Sequence, residues 1–195
     1  MEIFAIIFGS IFISNIVLSQ FLGICPFLGV SKDTKSAVGM GFSVMFVMVL
    51  SSILTWFIYH ALLVRFELEY LKTIAFILTI AALVQLLEMF LKKNIPSLYK
   101  AMGVYLPLIT TNCTILGIAL VNIQNGYPFS LYGFICTAAN AFANSAGFLL
   151  AMVLMSGIRE RLEEAELPQA MKGLPIVFFV ASSMALAFVG FTGMI

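Results

Sequence analysis

Residues 36–63 read SAVGMGFSVMFVMVLSSILTWFIYHALL, 28 residues without an Asp, Glu, Lys or Arg. The hydrocarbon core of a bilayer is ~30 Å thick, and a helix needs about 20 apolar residues to cross it. This stretch is long enough, is apolar on all sides and shows no alternation of polar and apolar positions. It therefore reads as a membrane-spanning helix, not as a strand of a closed barrel. Working outward, five further stretches read the same way, roughly residues 3–30, 70–91, 102–121, 129–156 and 174–194. The expected fold is an all-α membrane protein with six transmembrane helices. Composition agrees: 62% of the 195 residues are hydrophobic and 10% are charged, too little charge to cover a water-soluble domain of this size. No basic run suggests nucleic acid as a partner. The start Met1-Glu2-Ile3 lacks the positive segment of a secretory signal, so the first apolar run is expected to be a span.

Lys and Arg set the expected orientation, because they concentrate in cytoplasmic loops. Lys32, Lys35, Lys92, Lys93, Lys100, Arg159, Arg161 and Lys172 follow spans one, three and five, whereas only Arg65 and Lys72 follow span two. The eight-to-two split places both termini on the outer face. Trp56 and Tyr59, near the outer end of span two, are expected in an interfacial aromatic belt.

A short duplication organises the chain. Cys25-Pro26-Phe27-Leu28-Gly29 and Cys113-Thr114-Ile115-Leu116-Gly117 both read Cys-x-x-Leu-Gly, and each lies in the first span of a three-span half. An odd number of spans per half makes the copies enter from opposite sides, an inverted 3+3 repeat of about residues 1–95 and 96–195 within a single membrane domain. Both motifs sit in backbone poor for helix. Gly23, Pro26 and Gly29 surround the first; Pro107 and Thr110-Thr111-Asn112 precede the second. Spans one and four are therefore expected to be discontinuous, broken near Cys25 and Cys113. In inverted-repeat proteins such breaks mark the functional site.

The paired cysteines admit several chemistries. A thiol can simply fill space in an apolar helix, the expected role of Cys136. Cys25 and Cys113 could form a disulfide if the broken helices bring them together. Zinc wants four ligands, and the only histidine, His60, lies away from both motifs. A [2Fe–2S] cluster also wants four, normally thiolates, so this chain would supply half a site and a similar partner chain the rest.

The stretches Phe21-Leu22-Gly23-Ile24-Cys25-Pro26-Phe27-Leu28-Gly29-Val30-Ser31-Lys32 and Leu106-Pro107-Leu108-Ile109-Thr110-Thr111-Asn112-Cys113 resemble the two signatures of the RnfA/NqrE family. Arg159-Glu160-Arg161 and Phe188-x-Gly190-Phe191-x-Gly193 match as well, so the similarity covers nearly the whole chain. Cys-Pro-Phe and Ile-Thr-Thr-Asn-Cys are closer to the Rnf branch than to the Nqr branch. Residues 135–145 depart from the family pattern, and no function is carried onto Cys136, Asn140 or Asn144. The resemblance implies a multi-pass protein of the cytoplasmic membrane, in a complex that moves electrons between ferredoxin and NAD with sodium or proton translocation. It implies a homologous partner of the E type (RnfE-like), further B-, C-, D- and G-type subunits, and an intramembrane [2Fe–2S] cluster. Two of the cluster's ligands, here Cys25 and Cys113, would come from this chain. On that reading the chain performs no bond chemistry itself. Gly23 and Gly29 would let backbone approach the cluster. Asn112 would either donate a hydrogen bond toward it or cap a half-helix.

Other polar residues have simpler readings. Glu88 and Lys92 are spaced for a surface ion pair. Asn15, Gln20 and Gln85 are expected to face the bundle, and Asn140 and Asn144 to mark close helix packing among small residues. Glu160, Glu163, Glu164 and Glu166 suggest a solvated helix end or a docking surface. Two rivals remain: a secondary transporter or channel component, with the cysteines as packing residues, and a thiol-redox enzyme using a Cys25–Cys113 disulfide. Within the family, the alternative is the E-type component of an Nqr sodium-pumping NADH:quinone oxidoreductase.

Overall fold

The computed structural model describes residues 9–13, 15–66, 69–94, 106–163 and 173–190. Lys100, Lys172, Glu164, Glu166, Phe191 and Gly193, which figured in the expectations above, lie outside them. Among the described residues all regular structure is helical. We number the helices α1 Ile24–Gly29, α2 Thr34–Ile58, α3 Lys72–Asn94, α4 Leu106–Thr110, α5 Cys113–Gln124, α6 Leu131–Glu163 and α7 Leu174–Val189. A π-helical turn, Gly9–Ile13, precedes α1, and a second one, Tyr59–Leu63, carries α2 on to Phe66. Three helical stretches are long and apolar enough to cross a membrane: Thr34–Phe66, Lys72–Met89 and Leu131–Glu163. Leu108–Gln124 and Leu174–Val189 are apolar but shorter.

Both expected discontinuities are present. Residues 15–23 form turns, not helix, with Phe21 and Gly23 at left-handed φ of 55° and 80°. Gly tolerates that conformation; a residue with a Cβ does not adopt it readily. Between α4 and α5 the helix stops at Thr111-Asn112 and restarts at Cys113. Pro107 stands in the first turn of α4, where its missing N–H has no helical partner to lose.

The chain divides into two compact units, Met1–Ser43 with Ala143–Ile195, and Val44–Phe142. In the first, Ile16, Phe27, Phe148, Met152 and Met155 are buried. Asn15 Nδ2 donates to the Gly147 carbonyl at 2.9 Å, while its Oδ1 accepts from Val17 N–H at 3.1 Å. The fit at Gly147 is close, since a Cβ would come within 3.2 Å of that amide nitrogen and 3.3 Å of the Ile11 carbonyl oxygen, tighter than ordinary contact. Beside α1 lies a cavity of about 140 Å³, lined by Val17, Phe21, Ile24, Phe27 and Phe178 among others.

In the second unit α3 packs on α4 and α5, burying Phe76, Ile80, Ile109, Ile115 and Ile118. Cys136 is buried at 1% exposure, as a packing thiol should be. Asn140 donates to Asn122 Oδ1 at 2.7 Å, a directed hydrogen bond where only close packing was expected. Trp56 departs from expectation too. It is buried, not spread at an interface, because Phe129 stacks on it at 5.3 Å and His60 lies 4.9 Å from it. Gln20 and Gln85, expected inside, are exposed on the chain. Asn15 alone of the three faces inward.

Candidate functional site

The two cysteine motifs occupy equivalent local positions. Each begins just after a helix break, so Cys25 is the second residue of α1 and Cys113 the first of α5. Both cysteines are exposed on the chain, whereas Cys136 is buried. Cys25 belongs to the first unit, with Gly23 and Gly29; Cys113 belongs to the second, with Asn112. Among the described residues no disulfide joins any cysteine, and no three His, Cys, Asp or Glu side chains gather as metal ligands.

Around Cys25, Gly23 supplies the left-handed residue that starts α1. Gly29 ends α1 and is exposed; a Cβ there would meet nothing within 4 Å, so close approach within this chain does not explain it. No side chain caps the start of α1. At its far end Arg159 Nη1 donates to the Leu28 carbonyl and to Ser31 Oγ, each at 2.8 Å.

Around Cys113, Asn112 is extended and caps α5: its Oδ1 accepts from Thr114 N–H at 3.1 Å. Its Nδ2 is buried and has no hydrogen-bond partner among the described residues, and the same holds for Thr114 Oγ1. A buried, unpaired amide or hydroxyl costs about 1–3 kcal/mol. Both groups neighbour Cys113 in sequence, and donors of this kind stabilise thiolate sulfurs that they reach; among the described residues Ser52 Oγ, Trp56 Nε1, Asn122 Nδ2 and Thr137 Oγ1 are unpaired in the same way. Asn112 thus caps the half-helix with its oxygen. Sequence reasoning missed Thr114 and Arg159. Thr114 was legible as a hydroxyl beside the motif cysteine. In the sequence Arg159 stands as a topology signal and as part of Arg159-Glu160-Arg161; its contacts are not legible there, since its partners lie 131 and 128 residues away.

These features define a helical integral membrane protein with interrupted helices at a repeated cysteine motif. The family model described as "Rnf-Nqr subunit, membrane protein" matches residues 3–195. The A-type component of the Na(+)-translocating ferredoxin:NAD(+) oxidoreductase complex from Acetobacterium woodii is 57% identical over 194 residues, covering 100% of this chain and 98% of the relative. The A-type components of the ion-translocating oxidoreductase complexes from Syntrophotalea carbinolica and Azoarcus sp. are 48% and 49% identical, over 97% of this chain and 96% and 95% of theirs. The chain belongs to the Rnf-Nqr family of membrane subunits.

Proposed function

We propose that this chain is the A-type component of an ion-translocating ferredoxin:NAD oxidoreductase complex of the cytoplasmic membrane. In this role it carries electrons through a [2Fe–2S] cluster that it shares with a homologous E-type partner, beside B-, C-, D- and G-type subunits. The names of its full-length relatives support the complex. The observation that carries the cluster is the matched placement of Cys25 and Cys113, each exposed and each in the first turn after a helix break. Exposed cysteines on one chain suit a centre that a second chain completes.

When bound, such a cluster supplies one-electron transfer. The chain's residues do the rest. Cys25 and Cys113 would hold iron as thiolates, whose charge is costly inside a membrane. Asn112 Nδ2 and the Thr114 hydroxyl would offset that charge by donating toward the sulfurs. Asn112 Oδ1 meanwhile keeps α5 from fraying at Cys113.

The same reading arranges six spans as inverted repeats with both termini outside. Thr34–Phe66 and Leu131–Glu163 each run 33 residues, and each follows a Cys-x-x-Leu-Gly segment, which supports the repeat. Periplasmic-reporter fusions should be active after residue 125 and after the C-terminus, and silent after residue 95.

Iron content and low-temperature EPR of the purified complex test the cluster. Cys25→Ser and Cys113→Ser should each remove one [2Fe–2S] signal and stop electron transfer, while Cys136→Ser keeps both. Survival of signal and activity in the first two variants would leave the cysteines as packing residues.

A further inference from the structure

Within the unit formed by Met1–Ser43 and Ala143–Ile195, the last turns of α6 grip the segment that follows Cys25. Arg159 Nη1 holds the Leu28 carbonyl and the hydroxyl of fully buried Ser31 at 2.8 Å each. One residue on, Glu160 Oε2 accepts from Thr34 Oγ1 at 2.8 Å, and that oxygen lies 2.9 Å from Ser156 Oγ. Leu28, Ser31 and Thr34, three residues apart, are thus tied to one stretch of one long helix.

We propose that Arg159 is a positioning residue for Cys25: by fixing the end of α1 it sets the direction of the thiol. α1 has six residues, too few to hold itself as a helix. Its entry passes through left-handed Phe21 and Gly23 without a side-chain cap. The Leu28 carbonyl is one of the last in α1, where helical carbonyls lack partners. A cation there satisfies the acceptor and matches the helix dipole. Cys25 lies three residues, nearly one turn, before that carbonyl, so freeing it lets α1 turn and carries the sulfur with it. Lys offers a single point charge on a shorter arm and would restore the contact only in part.

The positioning concerns this chain alone; its consequence for electron transfer rests on the cluster reading above. The test uses the whole complex after iron has been removed with a chelator under reducing conditions. Alkylation of Cys25 and Cys113 by N-ethylmaleimide is then followed by mass spectrometry. Arg159→Gln should speed Cys25 about tenfold and leave Cys113 within about twofold, with Arg159→Lys between wild type and Gln. Ser31→Ala keeps the arginine and removes one acceptor; about threefold at Cys25 is expected, and it serves if the Arg159 variants do not assemble. An unchanged Cys25 rate overturns the proposal, and so does a parallel rise at both cysteines, which marks general loosening. A wild-type complex that lacks a [2Fe–2S] signal but keeps the Cys25 contrast would sink the cluster reading and leave Arg159 standing. An intact signal without the contrast would do the reverse.

Discussion

Cys25 and Cys113 occupy copies of one motif, yet their segments are held in opposite ways. Cys113 opens a twelve-residue helix whose own neighbour, Asn112, caps it. Cys25 sits in a six-residue helix with no side-chain cap, entered through left-handed backbone and fastened from outside by Arg159. Upstream, the turns at residues 15–22 are themselves pinned to Gly147 by Asn15. The second region is capped by its own neighbour and packs on α3, while the first is fastened by hydrogen bonds from α6. A repeated motif therefore fixes where the chemistry is placed, not how its scaffold is stabilised.

That contrast can be broken most forcefully at Gly147. Gly147→Val drives side-chain atoms against Asn15 and the Ile11 backbone, and about 3 kcal/mol should be lost, read as a lower SDS-unfolding midpoint of the purified complex. Cys25 should become more reactive and Cys113 should not; equal effects at both would contradict the comparison. Asn15→Ala removes two buried hydrogen bonds and should lose about 2 kcal/mol in the same assay, again with the change confined to the Cys25 side. Gly23→Ala puts a Cβ at φ 80° and should lose about 1 kcal/mol, detected as faster proteolysis between residues 15 and 24. The smallest change in stability belongs to Asn112→Ser. Serine caps nearly as well as asparagine, and Nδ2 has no partner to lose among the described residues, so the shift should stay within a few tenths of a kcal/mol. The redox midpoint of the complex should nevertheless move, because the amide donor is gone. An unmoved midpoint would reduce Asn112 to a cap.

The sequence announced both helix breaks because glycine, proline and the Thr-Thr-Asn run act locally. The helical, membrane-length character was legible for the same reason: apolar runs need no partner to be recognised. Contacts between residues far apart in sequence were not legible. Trp56 looked like a belt residue because its aromatic character was visible, whereas the Phe129 that covers it lies 73 positions on. Gln20 and Gln85 were assigned inward on polarity alone, yet both are exposed on the chain. At the candidate site, the placement of Cys25 and Cys113 beside the breaks is legible, and the cap seen at Asn112 is one of the two roles its position allows. Arg159 could not, since a basic residue ending an apolar helix looks the same whether it faces water or a carbonyl.

The cavity of about 140 Å³ beside α1 has a consequence of a different kind. It is partly open, with Phe21 and Phe178 exposed on its rim, yet poorly filled space at the edge of a fold can still be given up, and hydrostatic pressure favours states in which it is. The walls of this pocket include Phe21 and Ile24, the residues that lead into Cys25. Compression should therefore disturb the approach to Cys25, and a small apolar gas such as xenon, by occupying the pocket, should oppose the change.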